Sequence, residues 1–306
     1  MGSGHGQGSE RTTPPARRIS VIVPHYQDLA SLDLCLSALQ AQTLAHDEIV
    51  VADNASPVGP EAVKKAIAGR ARLVMVAEKG AGPARNGGAA AATGDVLAFT
   101  DCDCQPEPDW LRRGVEALDQ WDLVGGRMVV LVDDPEHMTP TEAFEAVFAF
   151  NNERYIHRKG FTVTANLLCR REVFQAVGGF GVRVSEDVEW CRRAAGKGFK
   201  LGYAAEAVVG HPARRTWPDL LAKWRRTNRE GFLLSASKPL GVARFVARSL
   251  LLPASILVHA PVILRSRALK RYEDKRGALT ILIRLRMWRL VNSLQLALNQ
   301  KTTSGG

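Results

Sequence analysis

Cysteine is sparse in this chain and follows no pattern. The five residues, Cys35, Cys102, Cys104, Cys169 and Cys191, are odd in number and offer only a lone C-x-C. That argues against a disulfide framework or a cysteine-rich zinc site, and favours a reducing, cytosolic setting. There is no internal repeat. Residues 1–18 contain no apolar run; they are rich in Gly, Ser, Pro and Arg, and read as a disordered leader rather than a signal peptide. Negative charge is in deficit, with 31 Asp and Glu against 41 Lys and Arg, a net charge of +10. Such a balance suits nucleic acid, an anionic membrane surface or a polyanionic ligand, and composition does not choose among them. The apolar share is ordinary, and 306 residues are enough for one large α/β domain plus an appendage.

What is present is alternation. Residues 19–24 form a short branched apolar run, the mark of a buried strand. Leu32, Leu36 and Leu39 then recur at helical spacing. Further strands are expected over 48–53, 72–77 and 95–100. Helices are expected over 61–68 and 83–92, and around Leu111, Val115 and Leu118. Strands alternating with helices predict βαβ units and a Rossmann-like, mostly parallel sheet flanked by helices. After about residue 125 the alternation stops. One helix is expected over 141–158, a strand within 161–170 and a helix over 187–195. This second half, to about residue 235, reads as an acceptor-side region built onto a nucleotide-binding half (19–125).

The tail, residues 236–300, is different in kind. Residues 245–264 are almost wholly apolar apart from Arg248 and His259, and they contain Pro253 and Pro261. The length borders on a membrane span. The prolines and the flanking Arg265, Arg267, Lys270 and Arg271 predict a kinked or re-entrant segment instead. Residues 279–298 form a second apolar helix carrying Arg284, Arg286 and Arg289, a composition suited to an anionic leaflet. The bland alternative is a helical pair packed on the catalytic core.

In open α/β sheets, ligands bind beyond the carboxyl ends of the strands. Pro24, His25 and Tyr26 follow the first strand, Asp53 and Asn54 the second, and Asp101, Cys102 and Asp103 the fourth. A single Asp at a strand end is usually a cap or turn residue; two sets at matching ends are harder to dismiss. Two carboxylates at D-x-D spacing just past a strand can reach one hard divalent cation, Mn²⁺ or Mg²⁺. A bare D-x-D is nevertheless common by chance.

Its surroundings are more specific. Val23-Pro24-His25-Tyr26, Val51-Ala52-Asp53-Asn54-Ala55-Ser56, Gly82-Pro83-Ala84-Arg85-Asn86, Phe99-Thr100-Asp101-Cys102-Asp103 and Pro106-x-Pro108-Asp109-Trp110 resemble, in order, family 2 glycosyltransferases. Thr164-Ala165-Asn166-Leu167, Gly178-Gly179-Phe180, Glu186-Asp187 and Val209-x-His211 resemble the acceptor half of the same family. The resemblance covers about residues 19–224. It implies a GT-A fold and an inverting single displacement from a nucleotide-sugar donor, UDP-linked by the family's habit. It also implies residue roles. Asp53 holds the base or ribose, and Pro24, His25 and Tyr26 wall the base. Asp103 binds the metal, and Asp101 the ribose or the metal's water shell. Asp187 is the general base, and His211 a further metal ligand or diphosphate contact. Each residue also has a plainer role open to it. Asp187 can serve as a first-turn acid, His211 as a core histidine and Arg85 as a phosphate partner or a turn cap. Cys102 reads as inert packing, and Trp217 and Trp224 as sugar-stacking, core or lipid-facing.

The chain departs from the family in places. Gln27 stands where many relatives have Asn. Lys223-Trp224-Arg225-Arg226 is not the Gln-x-x-Arg-Trp signature of processive synthases, which favours one sugar per encounter. A sugar-nucleotide pyrophosphorylase would need a Gly-rich basic loop after the first strand, and Pro24-His25-Tyr26-Gln27 is not one. A noncatalytic nucleic-acid or membrane-binding protein has the charge in its favour. The basic residues, however, gather in the apolar tail rather than among exposed aromatics, so nucleic acid is not an expected partner. The expected partners are a nucleotide sugar, a glycan or lipid-linked acceptor and the cytosolic face of a membrane.

Overall fold

The computed structural model describes residues 17–182 and 185–303. The expected disordered leader therefore lies outside the described residues, except for Arg17 and Arg18. Eight strands form one sheet: β1 (Ile19–His25), β2 (Glu48–Asp53), β3 (Arg72–Met75), β4 (Val96–Phe99), β5 (Gln105–Pro106), β6 (Leu123–Leu131), β7 (Leu167–Arg170) and β8 (Leu201–Pro212). Their order is β3-β2-β1-β4-β7-β6-β8-β5. The first four are parallel, as the alternation predicts. Beyond β4 the sheet is mixed: β7 runs antiparallel to both β4 and β6, β8 is parallel to β6, and β5 is antiparallel to β8. The second half thus extends the same sheet.

Helices cover both faces. On one side α1 (Leu29–Gln40), α2 (Pro60–Ile67) and α4 (Trp110–Ala117) bury Leu32, Leu36, Val63 and Trp110 against Val21, Val23 and Val51. On the other, α3 (Ala81–Ala91), α7 (Arg171–Val177) and α8 (Glu186–Gly196) pack Ala89, Phe174 and Trp190 against Ile22, Val50, Leu97 and Phe99. Neighbouring residues of β1 serve opposite cores because strand side chains alternate between faces. With both faces covered, β1 and β4 are buried throughout, which is why they read as mainly apolar runs rather than as alternation.

The single helix expected over 141–158 is two helices, α5 (Pro140–Phe148) and α6 (Asn152–Lys159). The break is local chemistry. Asn151 leaves helical geometry, and its side chain accepts from the Arg154 amide at 3.1 Å, capping a new helix. The intervening Phe150 packs its ring 5.1 Å from that of His211.

Four helices complete the chain: α9 (Trp217–Ala236), α10 (Gly241–Leu250), α11 (Ser255–Arg265) and α12 (Tyr272–Thr303). One face of α12 joins α5 and α11 in a third core of Phe144, Leu220, Ile263, Leu282 and Leu285. Among the described residues no single helix is long and apolar enough to cross a membrane, but α10 and α11, bent by 56° across a break containing Pro253, pass the test as a pair.

β6 and β8 are clasped by one side chain. Where Gly126 pairs with Ala204 and Arg127 with Val208, β8 bulges outward by three residues. Asn166, fully buried, donates to the carbonyls of Ala207 (2.9 Å) and Arg127 (3.1 Å) and accepts from Trp110 Nε1 (2.9 Å). Gly126 is required there, since a Cβ would lie 2.0 Å from the Ala207 oxygen. Asn166→Ala strands three buried polar groups and is expected to cost about 3 kcal/mol in chemical denaturation, with the slope unchanged.

Candidate active site

A cleft of about 500 Å³ opens at the carboxyl ends of the parallel strands. Pro24, His25 and Tyr26 line it from β1, and Asn54 from β2. Lys79, Gly80, Ala81 and Arg85 come from the entry to α3, and Asp101, Cys102 and Asp103 from the turn after β4. Seven of the nine site residues expected from the sequence are accounted for here or on the helix bordering it. Asp53 and His211 stand just behind.

Asp53 is fully buried and does not line the cleft. Its carboxylate accepts from the Ser56 amide (2.9 Å), the Ser56 hydroxyl (2.7 Å) and His25 Nδ1 (2.7 Å). Burial alone would raise this carboxyl; the bonds from Ser56 and His25 outweigh it and hold Asp53 below its ordinary value. In this geometry Asp53 orients His25, which faces the cleft. With Nδ1 donating to Asp53, the buried Nε2 of His25 has no protein partner.

Asp101 and Asp103 diverge. Asp101 accepts from Arg85 Nη2 at 2.5 Å, and Arg85 Nη1 donates to Glu186 at 2.8 Å. The Arg85 side chain is only 4% exposed, so neither role considered from the sequence describes it fully: it is a buried bridge between the turn after β4 and the start of α8. Asp103 turns the other way, and His211 Nε2 lies 3.4 Å from its Oδ2. His211 Nδ1 is 2.8 Å from the Pro212 carbonyl, which can only accept, so Nδ1 donates there and Nε2 is the nitrogen turned to Asp103. An imidazole nitrogen and a carboxylate facing each other are the donor types of a cation site, with the second ring nitrogen anchored as metal-binding histidines usually are. Burial, reinforced by repulsion from Asp101, holds the Asp103 carboxyl above its ordinary value against the pull of His211. Among the described residues no third His, Cys, Asp or Glu joins them. Two protein ligands suit a cation that takes its remaining oxygens from a diphosphate and water.

Asp187 follows Glu186 in the first turn of α8. It is partly buried, and its carboxylate accepts from the Val188 amide at 2.7 Å. Burial, with the neighbouring Glu186 charge, lifts it to about 6, against the pull of that bond and of Arg85. Cys102 is pushed up to about 12 by burial and the flanking carboxylates, so it stays a thiol.

Lys79 was not singled out by the sequence. It is presented by a loop pinned through Asn54, whose Nδ2 donates to the Glu78 carbonyl (2.6 Å) and whose Oδ1 accepts from the Gly80 amide (2.7 Å). The available signal was a lone Lys before a glycine-led helix at the carboxyl edge of the sheet.

With this geometry in view, the model for Glycosyl transferase family 2 matches residues 20–178. The match ends before α8, and so before Asp187 and His211. The glycosyltransferase AglE of Haloferax volcanii is 31% identical over 221 residues, covering 69% of this chain and 72% of its own. The pre-mycofactocin glycosyltransferase of Mycobacterium tuberculosis is 29% identical over 75% of this chain, which spans only 48% of that protein. Among solved structures, the mannosyltransferase PcManGT of Pyrobaculum calidifontis, in complex with GDP-Man and Mn²⁺, aligns with a TM-score of 0.51 at 20% identity, covering 95% of this chain and 76% of that one. That likeness shows a shared GT-A fold.

Arg85→Met leaves Asp101 and Glu186 without their shared cation. Because both carboxylates are about 30% exposed, the expected loss lies near the lower end for broken buried pairs, about 3 kcal/mol, read by thermal or urea unfolding.

Proposed function

The chain belongs to glycosyl transferase family 2, and from that premise we propose that it transfers one sugar from a nucleoside-diphosphate donor to an acceptor hydroxyl with inversion at the anomeric carbon. The observation that carries the reading is the Arg85 bridge. It ties the D-x-D turn of the donor cleft to the helix bearing Asp187, setting a carboxylate of raised affinity for protons beside the cleft.

The donor's base lies against Pro24, His25 and Tyr26. Lys79 and the start of α3 face the anionic part of the donor. Asp103 and His211 hold the divalent cation, Mn²⁺ or Mg²⁺, which supplies neutralisation of the charge that grows on the departing diphosphate. Asp187 takes the proton of the acceptor hydroxyl as that oxygen attacks the anomeric carbon. The bond to the diphosphate breaks on the opposite face, and the nucleoside diphosphate leaves with the bonding pair. A carboxyl near 6 suits this task, because it is ionised at neutral pH yet basic enough to accept a proton in the transition state.

A UDP-sugar is the proposed donor class, with GDP-mannose, bound by the Pyrobaculum enzyme, as the parallel arm of a donor screen. The proposed acceptor is a lipid-linked or cell-surface glycan at the cytosolic face of a membrane, on the strength of the basic, apolar tail.

Asp187→Asn is expected to abolish transfer while donor binding, measured calorimetrically, is retained; wild-type turnover in this variant would remove Asp187 as the base. In the wild type the base is lost as pH falls through about 6, so turnover is expected to drop about tenfold per unit below that value. Asp103→Ala and His211→Ala are each expected to weaken donor binding in the presence of Mn²⁺ by at least about tenfold, with little change when a chelator is present.

A further inference from the structure

Exposed apolar surface is concentrated in the last quarter of the chain. Of the twenty large hydrophobic residues that stand exposed among the described residues, fourteen follow residue 232. Leu250 and Leu251 lie at the α10–α11 bend, and Leu257, Val258, Val262 and Leu264 continue along α11; Leu257 is 79% and Val258 69% exposed. Ile283, Met287 and Val291 recur every fourth residue on α12, so they form one stripe.

The same segment holds the chain's charge. Residues 236–300 contain twelve Lys and Arg against two acids, so they account for the whole net charge of +10. Arg244, Arg248, Arg265, Arg267 and Lys270 are exposed, and within the described tail the one ion pair is Arg271–Glu273.

The shape decides how such a surface is used. A helix crossing a bilayer alone meets lipid on every side, whereas the inner side of α11 is already committed to protein: Ile263 is fully buried in the third core, and the ring of His259 lies 5.8 Å from that of Phe148. Only the outer face is free, which fits a helix pair lying in the plane of an interface. A second copy of the chain is the competing occupant, but self-association would press two strongly cationic surfaces together. An anionic surface relieves that repulsion instead.

We propose that the outer face of α10–α11 seats in the headgroup layer of an anionic bilayer, with the exposed arginines and Lys270 meeting lipid phosphates. This deepens the lipid-linked acceptor reading and rests on it only for the acceptor. Glu230 of α9 lies 3.5 Å from Ser185, the residue before the helix of Asp187, and the exposed Leu233 and Leu234 follow one turn later. Exposed apolar residues thus stand on α9 within one turn of its contact with the start of α8.

The test is flotation of the full-length protein with vesicles of phosphatidylcholine alone and of phosphatidylcholine containing phosphatidylglycerol. The wild type is expected to float with the anionic vesicles, to be released by high salt and to stay behind with the neutral ones. The double variant Leu257→Asp, Val258→Asp is expected to lose partitioning by at least about tenfold. Because both residues are exposed, its melting temperature and its release of nucleoside diphosphate from a soluble donor should match the wild type. Equal flotation on both vesicle types, or a double variant that floats like the wild type, overturns the proposal. So does a wild-type dimer in sedimentation that the double variant abolishes while neither binds vesicles. A protein that binds vesicles but turns over no sugar nucleotide instead overturns the proposed function and leaves the docking surface standing.

Discussion

The guanidinium of Arg85 holds one carboxylate from the turn after β4 and one from the first turn of α8, and the geometry of the cleft follows from that. A cation taken this far out of water is tolerated only with partners on more than one side. Asp101 and Glu186 supply them, and in doing so lose the freedom to move independently. Four acids converge on this region: Asp101, Asp103, Glu186 and Asp187. Arg85 neutralises part of that charge and fixes which acids remain for other work. Asp103 is left to face His211, and Asp187 is left without a strong ion pair.

The carboxylates are thereby sorted by environment rather than by type. Asp53, surrounded by donors, is held below its ordinary value and serves as an anchor for an imidazole. Asp187, desolvated and beside another acid, rises to about 6 and is suited to receive a proton. Separation of this kind between similar groups is how one cleft assigns binding and proton-transfer roles. Two histidines are fixed by the same logic, His25 by a carboxylate and His211 by a backbone carbonyl, so each offers a defined nitrogen.

The first half of the fold was legible because its signals are local. Residues 19–24 and 49–52 are short, mainly apolar runs, Leu32, Leu36 and Leu39 mark one helical face, and the polar residues after each strand fall at one edge of a parallel sheet. The second half was less legible because its pairings are distant. Nothing near residue 167 announces that β7 inserts between β4 and β6, and the β8 bulge is specified by Asn166, some forty residues away. The split of the helix expected over 141–158 turned on one side-chain cap at Asn151. At the site, motif position brought the right residues together but did not show orientation: it could not reveal that Asp101 turns to Arg85 while Asp103 turns to His211. Nor could it find Lys79, whose placement depends on the grip of Asn54 on a loop.

The insertion of β7 also bears on how the molecule comes into being. The half that carries the nucleotide cleft ends, in sequence, near residue 125, but its last parallel strand is completed by residues 167–170. A chain released at 125 would present β4 as a bare, apolar edge, open to pairing with any neighbouring chain. During synthesis that edge stays uncovered until more than forty further residues have emerged. The two halves of the sequence are therefore one folding unit, and the strand that closes the edge beside the cleft comes from the second of them.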